Sequence, residues 1–181
     1  VGPVVIALQW RDVAPGDGPA ISTSLTLAET DELRRLAEDA DVLEIGSAYG
    51  YSAVAMALAG ARVTAVDPHG WLNSYDAMRA NLNAYGVADR VEIRRSDSWS
   101  VLPALVDDDR KFDLVWIDGD HEARTVAHDV EWALKLLHPG GTLCCHDYDE
   151  ATCPGVRQAL DAWKPPPRLV DTLAVYGPGE W

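Results

Sequence analysis

Five stretches of the chain place an acid or a histidine at the end of a short apolar run: Glu44 in LEIG, Asp67 after RVTAV, Asp97 in SDS, Asp118 in WIDGDH, and His146-Asp147 after TLCC. Carboxylates accept hydrogen bonds and attract cations, and an imidazole with an ordinary pKa of about 6.5 takes up a proton near neutral pH. Asp118 lies beside Asp120 and His121, and two such runs end close together if their strands are neighbours. Asp118, His146 and Asp147 could then converge and hold a divalent ion, with water or substrate oxygens completing its coordination. His121 is the preferred general base and His146 the second candidate.

A second centre of chemistry is the segment 41–52, DVLEIGSAYGYS, where an apolar run breaks at Gly46 and Gly50 and passes at once into helix-like sequence. A strand, a glycine turn and a helix N-terminus expose backbone N–H groups and let the chain approach a ligand closely. The spacing is E-x-G-x-x-x-G, with Tyr49 between the glycines. Glu44 repels phosphate, so the turn is a poor match for a dinucleotide and suits a cofactor without phosphates. Asp67 follows at the position from which a carboxylate accepts both ribose hydroxyls of a nucleoside. Ser96-Asp97-Ser98 can present a carboxylate and a hydroxyl to an adenine edge, though the same residues also make an ordinary helix cap.

The elements that must position these groups alternate in period. Strands are predicted over 42–45, 62–66, 91–94, 114–117 and 142–145, and helices over 52–59, 74–85, 98–105, 124–137 and 156–163. Near-continuous apolar strands such as LVWI are those of a sheet buried on both sides. The pattern predicts an α/β, Rossmann-like, mostly parallel sheet of six or seven strands with helices on both faces. Ligands of such sheets lie beyond the strands' C-terminal ends, where the polar residues above cluster. Residues 1–24, rich in Gly and Pro around an apolar segment from Val4 to Trp10, read as an N-terminal arm, and residues 25–181 as the domain proper. Thr26 and Glu29 form a capping-box pattern for a first helix ending near Ala40. The run 164–167 cannot be regular structure, and 168–176 offers one edge strand or a tight pair.

The 181 residues suffice for one domain, with 48% apolar and 24% charged residues. A formal charge of −14, from 15 Lys and Arg against 29 Asp and Glu, excludes nucleic acid as a natural partner and favours a small molecule. No apolar run approaches the ~20 residues of a membrane span. No secretory pattern is present, so a cytoplasmic location is expected. Cys144, Cys145 and Cys153 support neither a disulfide framework nor a zinc knuckle. A homodimer is expected through the arm and the last strand.

The segments LEIGSAYGYSAVAMA, AVDPH, SDSW, DLVWIDGDH and PGGTLCCHDY, in this order, resemble the class I S-adenosylmethionine-dependent methyltransferases. More narrowly they are similar to small-molecule O-methyltransferases of the macrocin and novobiocin type and to cephalosporin hydroxylase relatives. The resemblance spans about 25–176. It implies a seven-stranded sheet with the last strand antiparallel. It also implies that Glu44, Gly46, Ser47, Gly50 and Tyr51 surround the methionine part of S-adenosyl-L-methionine, that Asp67 holds the ribose, and that Asp97, Ser98 and Trp99 hold the adenine, with Asp118 at the reacting end. In metal-dependent relatives the ligands are an Asp at position 118 and an acidic pair at 146 and 147. His146 departs from that pair, leaving Mg2+ and the more nitrogen-tolerant Mn2+ both open as the ion. The implied reaction is in-line attack of a small-molecule hydroxyl, on a sugar, phenol or other natural product, upon the sulfonium methyl. His121, His146 and Asp147 are the catalytic candidates, and without a metal Asp147 orients a histidine or the acceptor. The competing readings are a nicotinamide-dependent oxidoreductase and a non-catalytic cofactor-binding or dimerisation module.

Overall fold

The computed structural model of the chain describes residues 10–71, 73–162 and 166–180. Its strands are β1 (Arg11–Val13), β2 (Ile21–Thr23), β3 (Asp41–Ile45), β4 (Arg62–Val66), β5 (Val91–Arg94), β6 (Phe112–Ile117), β7 (Leu137–Cys145), β8 (Arg168–Val170) and β9 (Leu173–Tyr176). The helices are α1 (Leu27–Leu36), α2 (Tyr51–Leu58), α3 (Ser74–Ala84), α4 (Ser98–Asp107), α5 (Ala123–Leu136) and α6 (Pro154–Asp161). Seven strands form one sheet in the order β5-β4-β3-β6-β7-β9-β8. The first five are parallel, and β9 runs antiparallel to both β7 and β8. The expected mostly parallel sheet is therefore present with seven strands, and the stretch after Pro167 is the tight pair rather than a single edge strand.

Alternation along the strands explains the three layers. Val42, Val63, Ala65, Leu114 and Trp116 pack on one face with Leu33 of α1, Val54 and Met56 of α2, and Met78 and Leu82 of α3. Leu43, Ile45, Val66, Val115 and Ile117 pack on the other with Leu102 of α4, Val130 of α5 and Leu160 of α6. Successive residues of a strand point to opposite faces, so an unbroken apolar run serves two cores at once. Chain order reverses between β3 and β6, which are adjacent in the sheet. A crevice opens at such a switch point beyond the strand ends.

Two segments differ from expectation. The strand predicted over 142–145 starts at Leu137, so Pro139-Gly140-Gly141 lies inside β7. Leu137 pairs with Phe112 and the ladder resumes only at Leu114 with Thr142. The Pro and Gly residues span that irregularity, with Gly140 at φ +110°. Within the expected arm, β1 and β2 form an antiparallel hairpin. Tyr85 O–H donates to Pro19 O at 2.6 Å and Ile21 is buried, so the hairpin rests on the helical layer. The rest of the arm before Trp10, and residues 163–165, lie outside the described residues. Among those described, no helix is long and apolar enough to cross a membrane.

Trp116 sits at the centre of the sheet with no exposed surface. Trp116→Ala is expected to cost about 3–5 kcal/mol. Urea unfolding followed by circular dichroism measures it, and a loss under about 1 kcal/mol would contradict a core built on this strand.

Candidate functional site

The glycine turn after β3 is held by constraints that its sequence dictates. Gly46 has φ +89°, and a Cβ there would lie 2.2 Å from the Asp118 carbonyl oxygen and 2.6 Å from Gly119 Cα. Only glycine allows β3 and β6 to bring their ends this close. Gly50, at φ +84°, opens α2, and a Cβ there would meet Met78 Cγ at 2.8 Å. Asp67 ties the turn from the neighbouring strand. Its Oδ2 accepts from the backbone N–H of Ser47 at 2.9 Å and of Ala48 at 2.8 Å, and its Oδ1 from that of His69 at 2.5 Å.

Two adjoining cavities open on this turn. The larger, of about 370 Å³, is bounded by Gly46, Asp67, Asp97, Ser98, Trp99 and Asp118. The smaller, of about 160 Å³, is bounded by Trp10, Ser47, Tyr49, Tyr51, His121 and Asp147. Gly46, Ala48, Trp71, Asp118 and Gly119 line both. Asp97 also serves as the helix cap foreseen for it, accepting from Ser100 N at 2.8 Å. Trp99 is half-exposed and stacks on His128, with ring centroids 3.6 Å apart. Trp10, Tyr49 and Trp71 wall the outer part of the smaller cavity, with centroids 5.2–6.2 Å apart.

Glu44 and Gly50 do not line either cavity. Glu44 is fully buried beneath the turn, where Ser52 Oγ–H donates to its Oε1 and its Oε2 has no partner. Burial pushes its carboxyl up to about 8, with the nearby Asp118 and Asp67 adding to the effect. Its placement makes it a neutral prop for the loop at pH 7. Its neighbour Ser47 is buried too, with its Oγ unpartnered.

At the opposite end of the crevice, the ends of β6 and β7 bring together the residues that the sequence singled out. His121 Nε2 lies 3.0 Å from Asp147 Oδ2. His146 Nδ1 lies 3.2 Å from Asp118 Oδ1 and 3.3 Å from Asp147 Oδ2. Asp147 has φ +60°, a left-handed conformation that Asp tolerates, and it turns the chain so that its carboxylate faces both histidines. The hydrogen bond to Asp147 raises the His121 pKa above its ordinary 6.5. Burial works against charge on His146, yet Asp118, Asp147 and Glu29 hold its pKa well above the usual imidazole range. Burial likewise opposes ionisation of Asp147, and the two histidines overcome it, keeping the carboxyl well below its ordinary range.

Glu29 is the member of this cluster absent from the sequence-derived site. It is the capping-box residue that the sequence predicts: Glu29 N donates to Thr26 Oγ1 at 3.1 Å, and Thr26 N donates to Glu29 Oε2 at 2.8 Å. The same carboxylate also lies 3.2 Å from His146 Nε2 and accepts from Thr172 N and Oγ1 at 2.9 and 2.8 Å. No local pattern links α1 to β7, so only the fold could reveal this contact.

The donor chemistry fits a divalent ion. One donor atom each from Asp118, His146 and Asp147 lies within 4.8 Å of the others, and the imidazole is fixed through its far nitrogen. The larger cavity fits an adenosyl group: it has carboxylates at the ends of β4 and β5, an indole at one wall, and a glycine where any Cβ would meet the facing strand.

A protein-family model described as a methyltransferase domain matches residues 43–148. The chain is 33% identical over 145 residues to a catechol O-methyltransferase of Mycobacterium tuberculosis, covering 71% of this chain and 64% of that protein. It is 31% identical over 139 residues to a catechol O-methyltransferase of Niastella koreensis, covering 72% of this chain and 59% of that protein. The chain thus spans about three fifths of the length of these curated relatives. Among solved structures, an O-methyltransferase from Bacillus cereus in complex with SAH superposes with a TM-score of 0.65 at 25% identity, covering 76% of this chain and 69% of that one.

The state of Glu44 sets a pH dependence of stability. Its folded pKa of about 8 lies above the ordinary 4.5, so the stabilisation it gives is complete below 4.5 and is lost as pH rises through 8. Glu44→Gln removes that dependence. Calorimetric melting should show the variant gaining on the wild type between pH 5 and pH 8, and a constant difference would contradict a neutral Glu44.

Proposed function

The chain belongs to the class I S-adenosylmethionine-dependent methyltransferases, and from that premise we propose that it transfers the sulfonium methyl to a hydroxyl of a small molecule. The observation that carries this reading is the pair of adjoining cavities, one suited to an adenosyl group and the other ending at His121 and Asp147, with Gly46, Asp118 and Gly119 shared between them. Bound S-adenosylmethionine supplies an electrophilic methyl and a thioether leaving group.

The chain's own residues supply position and proton transfer. Asp67 fixes the glycine turn through two backbone hydrogen bonds, from Ser47 and Ala48, and would accept from the ribose hydroxyls on the cavity side. Asp97, Ser98 and Trp99 line the larger cavity and would hold the adenine. Gly46, Ser47, Ala48, Tyr49 and Tyr51 would border the methionine portion, with Glu44 supporting the loop from below. Trp10, Tyr49 and Trp71 exclude water from the acceptor side and favour an acceptor with a flat apolar body. Holding a hydroxyl in line behind the methyl is the largest contribution such a site can make.

His121 in its neutral form takes the hydroxyl proton, and Asp147 orients its ring and stabilises the imidazolium that results. A divalent ion held by Asp118, His146 and Asp147 would supply Lewis acidity that lowers the acceptor's pKa. The clustering of one donor atom from each of the three side chains supports that assistance.

Calorimetric titration tests the reading at the binding step. S-adenosylmethionine is expected to bind and NAD is not, and binding of NAD alone would contradict the assignment. His121→Gln should lower kcat by about 10²- to 10⁴-fold with the affinity for S-adenosylmethionine unchanged. Retention of wild-type kcat would remove His121 as the base.

A further inference from the structure

The geometry points to Glu29 as a positioning residue that fixes the tautomer of His146 and thereby makes the Asp118–His146–Asp147 cluster a site for a nitrogen-accepting divalent ion such as Mn2+ in preference to Mg2+. The inference rests on the metal-assisted form of the methyltransferase reading and adds to it a residue from outside the crevice.

A carboxylate can only accept, so the contact of 3.2 Å between Glu29 Oε2 and His146 Nε2 requires a hydrogen on Nε2. Glu29 is itself rigidly held. Its Oε1 accepts from both the backbone and the hydroxyl of Thr172, and its Oε2 from the backbone of Thr26. The imidazole is buried, and the indole of Trp116, with its centroid 5.6 Å away, limits ring rotation. With Nε2–H committed to Glu29, the free lone pair of the neutral ring is on Nδ1. That nitrogen faces Asp118 Oδ1 at 3.2 Å and Asp147 Oδ2 at 3.3 Å. These spacings match the separation of neighbouring ligand atoms around one small ion, about 3 Å when each bond is near 2.1 Å.

Two carboxylate oxygens around one nitrogen need a positive charge among them. A second ring proton supplies it in the absence of metal, and an ion bound to Nδ1 supplies it otherwise. The donor set is then oxygen, nitrogen, oxygen. Mg2+ takes oxygen donors and keeps its waters, whereas Mn2+, Co2+ and Zn2+ accept imidazole. A carboxylate behind a metal-bound imidazole is the arrangement that raises ligand basicity and fixes the ring. The capping-box role of Glu29 does not account for its contact with a histidine 117 positions away.

The test measures metal affinity directly, by titrating the full chain with Mn2+ and following free Mn2+ by electron paramagnetic resonance, with Mg2+ as competitor. The wild type is expected to bind Mn2+ more tightly than Mg2+. Glu29→Gln, which preserves shape but removes the charge, should weaken Mn2+ by about 10- to 100-fold. His146→Asp should lower the Mn2+-to-Mg2+ affinity ratio tenfold or more by restoring an all-oxygen site. Thr26→Ala breaks the helix cap while sparing the Glu29 carboxylate and should leave Mn2+ affinity as in the wild type. Wild-type protein that fails to bind Mn2+, Glu29→Gln with unchanged affinity, His146→Asp with an unchanged ratio, or Thr26→Ala as weak as Glu29→Gln would each overturn the inference. Titrating the same samples with S-adenosylmethionine separates the two readings: failure to bind it, with the metal pattern intact, overturns the methyltransferase reading and leaves the metal site standing.

Discussion

Three carboxylates, those of Glu29, Asp118 and Asp147, meet on one buried imidazole, and the end of the crevice at β6 and β7 depends on that meeting. Like charges in a shielded place repel strongly unless a cation lies among them. His146 is where that positive charge must reside, whether as a ring proton or as an ion at its Nδ1. The contacts come from α1, β6, β7 and the turn before β9, so the charge cluster also fastens the sheet's second half to the first helix. Such a network is high-stakes: fully satisfied, it specifies one arrangement, and with one partner removed it leaves uncompensated charge. Asp147, turned by its left-handed backbone, carries the arrangement outward to His121.

The second constraint is the close approach of the β3 and β6 ends at Gly46. It places Asp118 between the two cavities, so the same strand end borders the larger cavity and contacts His146. Asp67 keeps the intervening loop in shape from β4. The boundary between the two cavities is made of Gly46, Ala48 and Gly119 with the side chains of Trp71 and Asp118. The polar strand ends owe their common location to parallel topology alone, because every parallel strand delivers its C-terminus to the same edge.

The sheet was legible because its signal is local. Apolar runs such as those ending at Ile45, Val66 and Ile117 alternate between two faces, and both faces found helices. Asp118, His121, His146 and Asp147 were legible as a group because adjacent parallel strands must bring their ends together. Glu44 was legible as an unusual residue, yet its side chain points into the layer beneath the turn rather than into a cavity, a distinction of one face of a strand that motif spacing does not resolve. Glu29 was legible only as a cap. Its second contact spans 117 positions and depends on where α1 docks, which is a tertiary fact. Trp10 and the hairpin that brings it over Tyr49 and Trp71 had no local signature beyond the Gly and Pro residues of the turn.

The central claim is that one crevice aligns a sulfonium methyl with a hydroxyl whose proton is handled at Asp118, His121 and Asp147. It is tested most directly by incubating the protein and Mn2+ with methyl-labelled S-adenosylmethionine and a panel of hydroxylated small molecules that includes catechol, then locating the label in the products. The account predicts label on an acceptor oxygen with the wild type and its loss in an Asp118→Ala, Asp147→Ala double variant. Label delivered to carbon or nitrogen alone, or transfer to oxygen undiminished in the double variant, would contradict it.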